Sequence, residues 1–130
     1  MSDTLEAVRV LKGGEFLIHA STPDNTFIPE QLTEEQKMIK QMASDFMTQE
    51  LDPVRMKIEK QEPGVAVGLL KKMGELALLG AHMPAEYGGL ELDTNTNTII
   101  SDVLGPSGSF SVSHAAHTGI GMLPILYFGT

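Results

Sequence analysis

The stretch Thr33-Glu34-Glu35-Gln36-Lys37-Met38-Ile39-Lys40-Gln41-Met42-Ala43-Ser44-Asp45-Phe46-Met47 combines a helix start with an apolar stripe. Thr33 and Gln36 stand three apart, the spacing of a capping box in which each side chain satisfies an orphan N–H of the first turn. Glu34 and Glu35 suit the positive end of a helix dipole. Ile39, Met42, Ala43, Phe46 and Met47 recur at three- and four-residue spacing, which predicts one buried face. Pro53 should end or kink this helix near Leu51, because its ring removes a donor and clashes with the preceding turn. Val54 to Gln61 is expected to add a turn or two before Pro63-Gly64 stops it.

Downstream, Val65, Leu69, Leu70, Met73, Leu76 and Ala77 predict a second helix over Val65 to Leu79. Gly80 is the expected left-handed residue beyond its end. Met83 to Gly89 reads as a loop. Thr94 to Leu104 is a poorer helix by composition, yet Ile99, Ile100, Val103 and Leu104 line one side. Gly105-Pro106-Ser107-Gly108 breaks it. Ser109 to Thr118 reads as helical, Gly119-Ile120-Gly121 as an interruption, and Met122 to Phe128 as a final short helix. Upstream, residues 1–29 form an irregular arm with turn chemistry at Gly13-Gly14 and Ser21 to Asn25. The arm either docks through Phe16, Ile18, Phe27 and Ile28 or has no fixed structure. The fold class is therefore all-α, with the arm at 1–29 and a helical domain at 30–130.

The formal net charge of −8 over 130 residues opposes a nucleic-acid partner, which needs a basic patch against phosphates. There is no cysteine, so disulfides and thiolate metal sites are excluded. The start has no basic segment followed by an apolar run, as a signal peptide has, and no stretch approaches the roughly 20 apolar residues of a transmembrane helix. A cytoplasmic setting is expected. From Thr94 to Thr130 the only formal charge is Asp102, while apolar residues run from Ile99 to Phe128. A surface helix ordinarily carries a charged outer face. Either these helices fill the centre of the domain, or they also face a ligand or further polypeptide. The chain stops straight after an apolar segment, which reads as a boundary within a longer protein.

His114 and His117 share one side of a helix, as metal ligands must, but two ligands make an incomplete set, so packed or hydrogen-bonded histidines are expected and no metal. Gly119-Ile120-Gly121 and Gly88-Gly89 lack the strand and lysine of phosphate loops. The 8 methionines read mainly as core, and the carboxylates, Glu59 among them, as a solvated face. No residue is assigned as catalytic or as a cofactor ligand.

Four segments together resemble the acyl-CoA dehydrogenase family. They are Leu32 to Lys37 leading to Glu50-Leu51-Asp52-Pro53, Leu70 to Gly80, Met83 to Leu90 with its likeness to the family's P-E-x-x-G-G turn, and Ala116 to Gly121 leading to Pro124 through Thr130. The arm, with Lys12-Gly13-Gly14-Glu15-Phe16, looks most like longer-chain members. The resemblance implies the N-terminal helical domain of a three-domain FAD enzyme. Such an enzyme converts a fatty acyl-CoA to a trans-2-enoyl-CoA and passes electrons to an acceptor, usually as a homo-oligomer. The resemblance places the catalytic glutamate in the C-terminal domain, and most flavin contacts in the middle and C-terminal domains. It assigns this chain part of the acyl-chain tunnel wall, at Ala115, Ala116, Gly119 and Ile120. The small Ala115 and Ala116 imply a deep tunnel for a long chain. The Gly105-Pro106 break and the Thr/Asn-rich run from Thr94 to Thr98 depart from the family pattern. The alternative from another class is a stand-alone helical protein-interaction module.

Overall fold

The computed structural model describes residues 9–129 and divides into two units, Met1–Thr33 and Glu34–Thr130. The expected lack of a signal peptide rests partly on Met1 to Val8, which lie outside the described residues, as does Thr130.

The first unit is built from 3-10 turns at Gly13–Leu17, Pro23–Asn25 and Pro29–Gln31. Side chains close these turns locally: the Glu15 carboxylate accepts the Lys12 N–H at 2.8 Å and pairs with Arg9, and Asn25 Oδ1 accepts the Thr22 N–H at 2.8 Å. Leu11 N–H donates to the Asn25 carbonyl at 2.9 Å and links the residues just before the first turn of this unit to the second turn.

The second unit is built of helices joined by turns and one longer loop between Leu76 and Asp93, and no strand occurs among the described residues. Helix α1 spans Glu34–Phe46 and widens into a π turn over Met47–Leu51. The backbone tightens to a 3-10 turn at Asp52–Val54, where Pro53 sits at the first positions and needs no donor. Short α2 follows at Arg55–Glu59, then α3 at Val65–Glu75, α4 at Thr94–Leu104 and α5 at Ser109–Ala115. A π turn at Ala116–Gly121 leads into α6 at Met122–Phe128. The core collects Ala43, Phe46, Met47 and Leu51 from the first helix, Ile58 from α2, and Leu69 and Met73 from α3. It is completed by Leu78 and Ala81, by Ile100 and Leu104 from α4, and by Phe110 from α5. The Phe46 and Phe110 rings meet at its centre with centroids 6.1 Å apart.

Two boundaries differ from expectation. Helix α3 ends at Glu75 instead of Leu79, and the left-handed residue is Ala77, at φ 57, not Gly80. The Leu78 N–H reaches the Met73 carbonyl at 3.0 Å and the Ala77 N–H the Gly74 carbonyl at 2.9 Å, the paired bonds of a Schellman end. This end turns Leu78 inward beside Met73, and both side chains are buried. The burial of Leu78 thus outweighs the steric cost of a left-handed alanine. The second difference is at Gly119-Ile120-Gly121, which does not interrupt the helix. The backbone stays right-handed helical from Ser109 to Phe128, and the π turn absorbs the glycines.

Helix α4 forms despite its Thr and Asn content because Asp93 caps it. Asp93 Oδ1 accepts the Thr96 N–H at 2.7 Å and the Thr96 hydroxyl at 2.6 Å. Gln36 of α1, itself buried, lies 3.4 Å from both Asp93 and Thr96 and joins α1 to this helix start. The loop before it closes tightly. A Cβ on Gly89 would fall 2.0 Å from the Met83 carbonyl oxygen, so only glycine lets the two backbones meet.

Ala77→Gly should raise the unfolding free energy by about 1 kcal/mol, since glycine takes φ 57 without steric cost. Asp93→Ala should lower it by about 1 kcal/mol through loss of the cap. Urea denaturation of the chain and both variants checks the two signs.

Candidate functional site

The candidate surface lies on the run from α5 through α6, and three inward residues determine how it is presented. Phe110, His114 and Thr118 follow one another at four-residue spacing and are 0%, 3% and 9% exposed. That stripe packs inward, and Val112, Ala115, Ala116 and His117 between its members are exposed. Val112 is 69% exposed, Ile120 83% and Phe128 85%, with Ile125 and Tyr127 also exposed. Beyond Phe110 the usual amphipathic order is inverted: a histidine and a threonine are inside while a valine, an isoleucine and Phe128 are outside. Helix α6 has no buried residue at all.

The polar residues inside are accommodated differently. Thr118 donates its hydroxyl to the His114 carbonyl at 3.0 Å, one turn back. His114 has only partial satisfaction, because its Nε2 is buried without a partner. Burial holds its pKa below 6.5, and the neighbouring His117 and His82 act in the same direction; a backbone hydrogen bond with Leu78 opposes them. The ring is therefore neutral in the fold near neutral pH. His117, three residues on, is exposed. Among the described residues no group of three or more His, Asp or Glu is placed to hold a metal ion.

Of the four positions expected at the tunnel wall, Ala115, Ala116 and Ile120 are exposed and Gly119 is half-buried. All four follow one another along the end of α5 and the π turn. Ala115 also borders a shallow groove of about 230 Å³ with Ser101, Leu104, Ser111, Val112 and His114. A larger concavity, about 460 Å³, runs along α1 between Met38, Met42, Phe46 and Leu76 with Asp45 and Glu50 at its rim. It shares no residue with the first. Met38 is exposed there, so of the methionines read mainly as core, Met47 is buried and Met38 lies at the surface.

The sequence reading did not anticipate the α2 contacts. Glu59 accepts the Ser109 N–H at 3.1 Å and its hydroxyl at 2.7 Å, and those bonds hold the carboxyl below its ordinary pKa. Arg55 donates to the Pro106 carbonyl at 2.6 Å. Nothing in local spacing marks Glu59 as anything but a solvated residue, because its partner is 50 positions away.

Comparison with known proteins agrees with this architecture. Residues 33–130 match the family described as acyl-CoA dehydrogenase, N-terminal domain. A Bacillus subtilis protein named "Probable acyl-CoA dehydrogenase" is 46% identical over 125 residues, covering 96% of this chain and 21% of the relative. The short-chain specific acyl-CoA dehydrogenase of Bos taurus mitochondria is 32% identical over 101 residues, 77% of this chain and 24% of its own length. The crystal structure of an acyl-CoA dehydrogenase complexed with FAD from Bacillus anthracis superposes with a TM-score of 0.82 at 43% identity, covering 93% of this chain and 21% of that one. The fold is the all-α fold of an acyl-CoA dehydrogenase N-terminal domain. The chain belongs to the acyl-CoA dehydrogenase family. It spans about a fifth to a quarter of the length of these relatives. None of the described helices is long and apolar enough to cross a membrane.

The unfolded chain takes up a proton at His114 near pH 6.5 that the folded chain resists, so stability is complete above that pH and declines as the pH falls below it. The slope from this one group is at most about 1.4 kcal/mol per pH unit. Thermal unfolding followed from pH 7.5 down to pH 5.5 should show the decline, and His114→Leu should flatten it.

Proposed function

We propose that this chain is the N-terminal quarter of an FAD-dependent acyl-CoA dehydrogenase that converts a fatty acyl-CoA to a trans-2-enoyl-CoA. In this reading a middle β-domain and a C-terminal helical domain follow residues 30–130, with residues 1–29 as an arm ahead of them. The same reading brings an electron-transfer acceptor, a homo-oligomeric assembly and a cytoplasmic setting. It is supported by family membership and by the FAD complex of the Bacillus anthracis relative.

The residues here do not by themselves fit a flavin site. No lysine or arginine follows Lys72, so the region that carries the apolar face brings no cation to a pyrophosphate. The family resemblance gives most flavin contacts to the middle and C-terminal domains, and no chemical step is assigned to a side chain within this chain. What the domain offers is a surface for the acyl chain. Val112, Ala115, Ala116, Gly119 and Ile120 present small or apolar side chains with no charge among them. Each methylene buried against such a wall contributes about 0.8 kcal/mol, less the cost of ordering the chain.

The inverted exposure along α5 to α6 is the observation that carries the assignment. A face with Val112, Ile120 and Phe128 outward and His114 inward is poorly suited to water but suited to cover by an acyl chain and neighbouring domains. Ala115 and Ala116 are small and exposed, which favours a deep tunnel and a long acyl chain. In the full-length enzyme Ala116→Glu should shift the preferred acyl length downward, measured as kcat/KM across a series of saturated acyl-CoA thioesters. An unchanged profile removes the tunnel assignment.

A further inference from the structure

Helix α5 carries the candidate wall yet has no cap of its own. Gly108 precedes it with φ 64 and ψ −127 and provides no side-chain acceptor. The first turn of a helix leaves backbone N–H groups unsatisfied, and a local Ser, Thr, Asp or Asn ordinarily meets them. Here the acceptor comes from another helix. Glu59 of α2 takes both donors of Ser109, N–H at 3.1 Å and hydroxyl at 2.7 Å. A Cβ on Gly108 would stand 2.7 Å from Glu59 Oε1, so glycine there leaves the space the carboxylate occupies.

One turn earlier on α2, Arg55 reaches the same connection from its other end. Its Nη1 donates to the Pro106 carbonyl at 2.6 Å, while Nη2 pairs with Asp52 at 2.6 Å and steadies the guanidinium. Arg55 and Glu59 are four residues apart, so they leave α2 on one side. They engage Pro106 and Ser109, the two ends of the break that separates α4 from α5. Between them Ile58 enters the core cluster that contains Phe110. Phe110 directly follows Ser109 and opens the inward stripe through His114 and Thr118.

We propose that Arg55 and Glu59 form a clamp that sets the position and rotation of the α5–α6 run, which makes Glu59 a positioning residue for the acyl-chain wall. The wall role rests on the function proposed above; the clamp itself does not. Fixing Ser109 fixes the phase of the α5 residues after it: neighbours in the helix stand about 100° apart, so a turn of that order would replace Val112 with Ser111 or Ser113 on the outward face. Glu59 then influences acyl-chain selection without touching the acyl chain.

Two measurements separate the clamp from the wall. In hydrogen exchange of the chain, Glu59→Ala should speed the amides of α5 roughly tenfold relative to those of α1, as expected for loss of charge-assisted bonds. Glu59→Gln, which keeps an acceptor, should fall between, and Asp102→Asn, which removes one exposed charge elsewhere, should change nothing. Equal exchange in α5 of Glu59→Ala and the parent chain overturns the clamp. In the full-length enzyme, Glu59→Ala should raise KM for hexadecanoyl-CoA several-fold more than for hexanoyl-CoA, with kcat for the shorter substrate retained. A uniform fall in kcat for both substrates, with Ala116→Glu still shifting the profile, shows that Glu59 is merely structural and overturns its positioning role. If Ala116→Glu has no effect either, the tunnel reading fails and takes the positioning role with it, and the exchange result alone decides the clamp.

Discussion

The inward stripe of Phe110, His114 and Thr118 is the constraint on which the rest of this domain depends. Once those three residues face the core, the geometry of the helix leaves Val112, Ala115, Ala116 and Ile120 no other direction but outward. Burying a histidine with an unpartnered Nε2 is costly, and exposing isoleucine and phenylalanine forgoes transfer free energy on the other side. In a helix that served only its own domain, Phe110 would gain by facing the core, but burying His114 and exposing Val112 and Ile120 would bring no gain. Its orientation is understandable if the outward side is to be covered in the complete protein.

Other elements hold that stripe in place. The Phe46–Phe110 contact anchors its first member against α1. The Schellman end of α3 delivers Leu78, whose backbone meets His114. Glu59 and Arg55 grip the connection just before the stripe begins. Helix α4, started by Asp93 and joined to α1 through Gln36, supplies Ile100 and Leu104 to the same core. Thus the helices that look least related to a substrate fix the phase of the one proposed to meet it.

Much of this was readable in advance. The stripe of α1, the all-α class and the extent of α4 follow from three- and four-residue periodicity. The uncharged stretch from Thr94 left two readings open, and the structure divides it: Ile100, Leu104 and Phe110 fill the core, while Val112, Ile120, Ile125 and Phe128 are exposed. Periodicity could not say which side of α5 faces in, because it assigns apolar residues to the core, whereas this helix buries His114 and exposes Val112. The α3 end was misplaced for a related reason. Gly80 is the residue with the lowest cost of a left-handed backbone, but the turn falls where Leu78 can be buried, and alanine accepts the strain. The Glu59–Ser109 contact joins residues too distant in the chain for any local pattern to pair them. Small residues at 115, 116 and 119 are visible in the sequence, but only the fold shows Ala115 and Ala116 on the exposed side.

The most direct measurement uses the full-length enzyme loaded with a long acyl-CoA bearing a diazirine at the end of its acyl chain. Irradiation, digestion and mass spectrometry locate the adduct. The account predicts labelling concentrated between Val112 and Ile120, on the outward side of α5 and the π turn. Adducts that fall wholly outside this run, with the acyl-CoA shown to be bound, would contradict it.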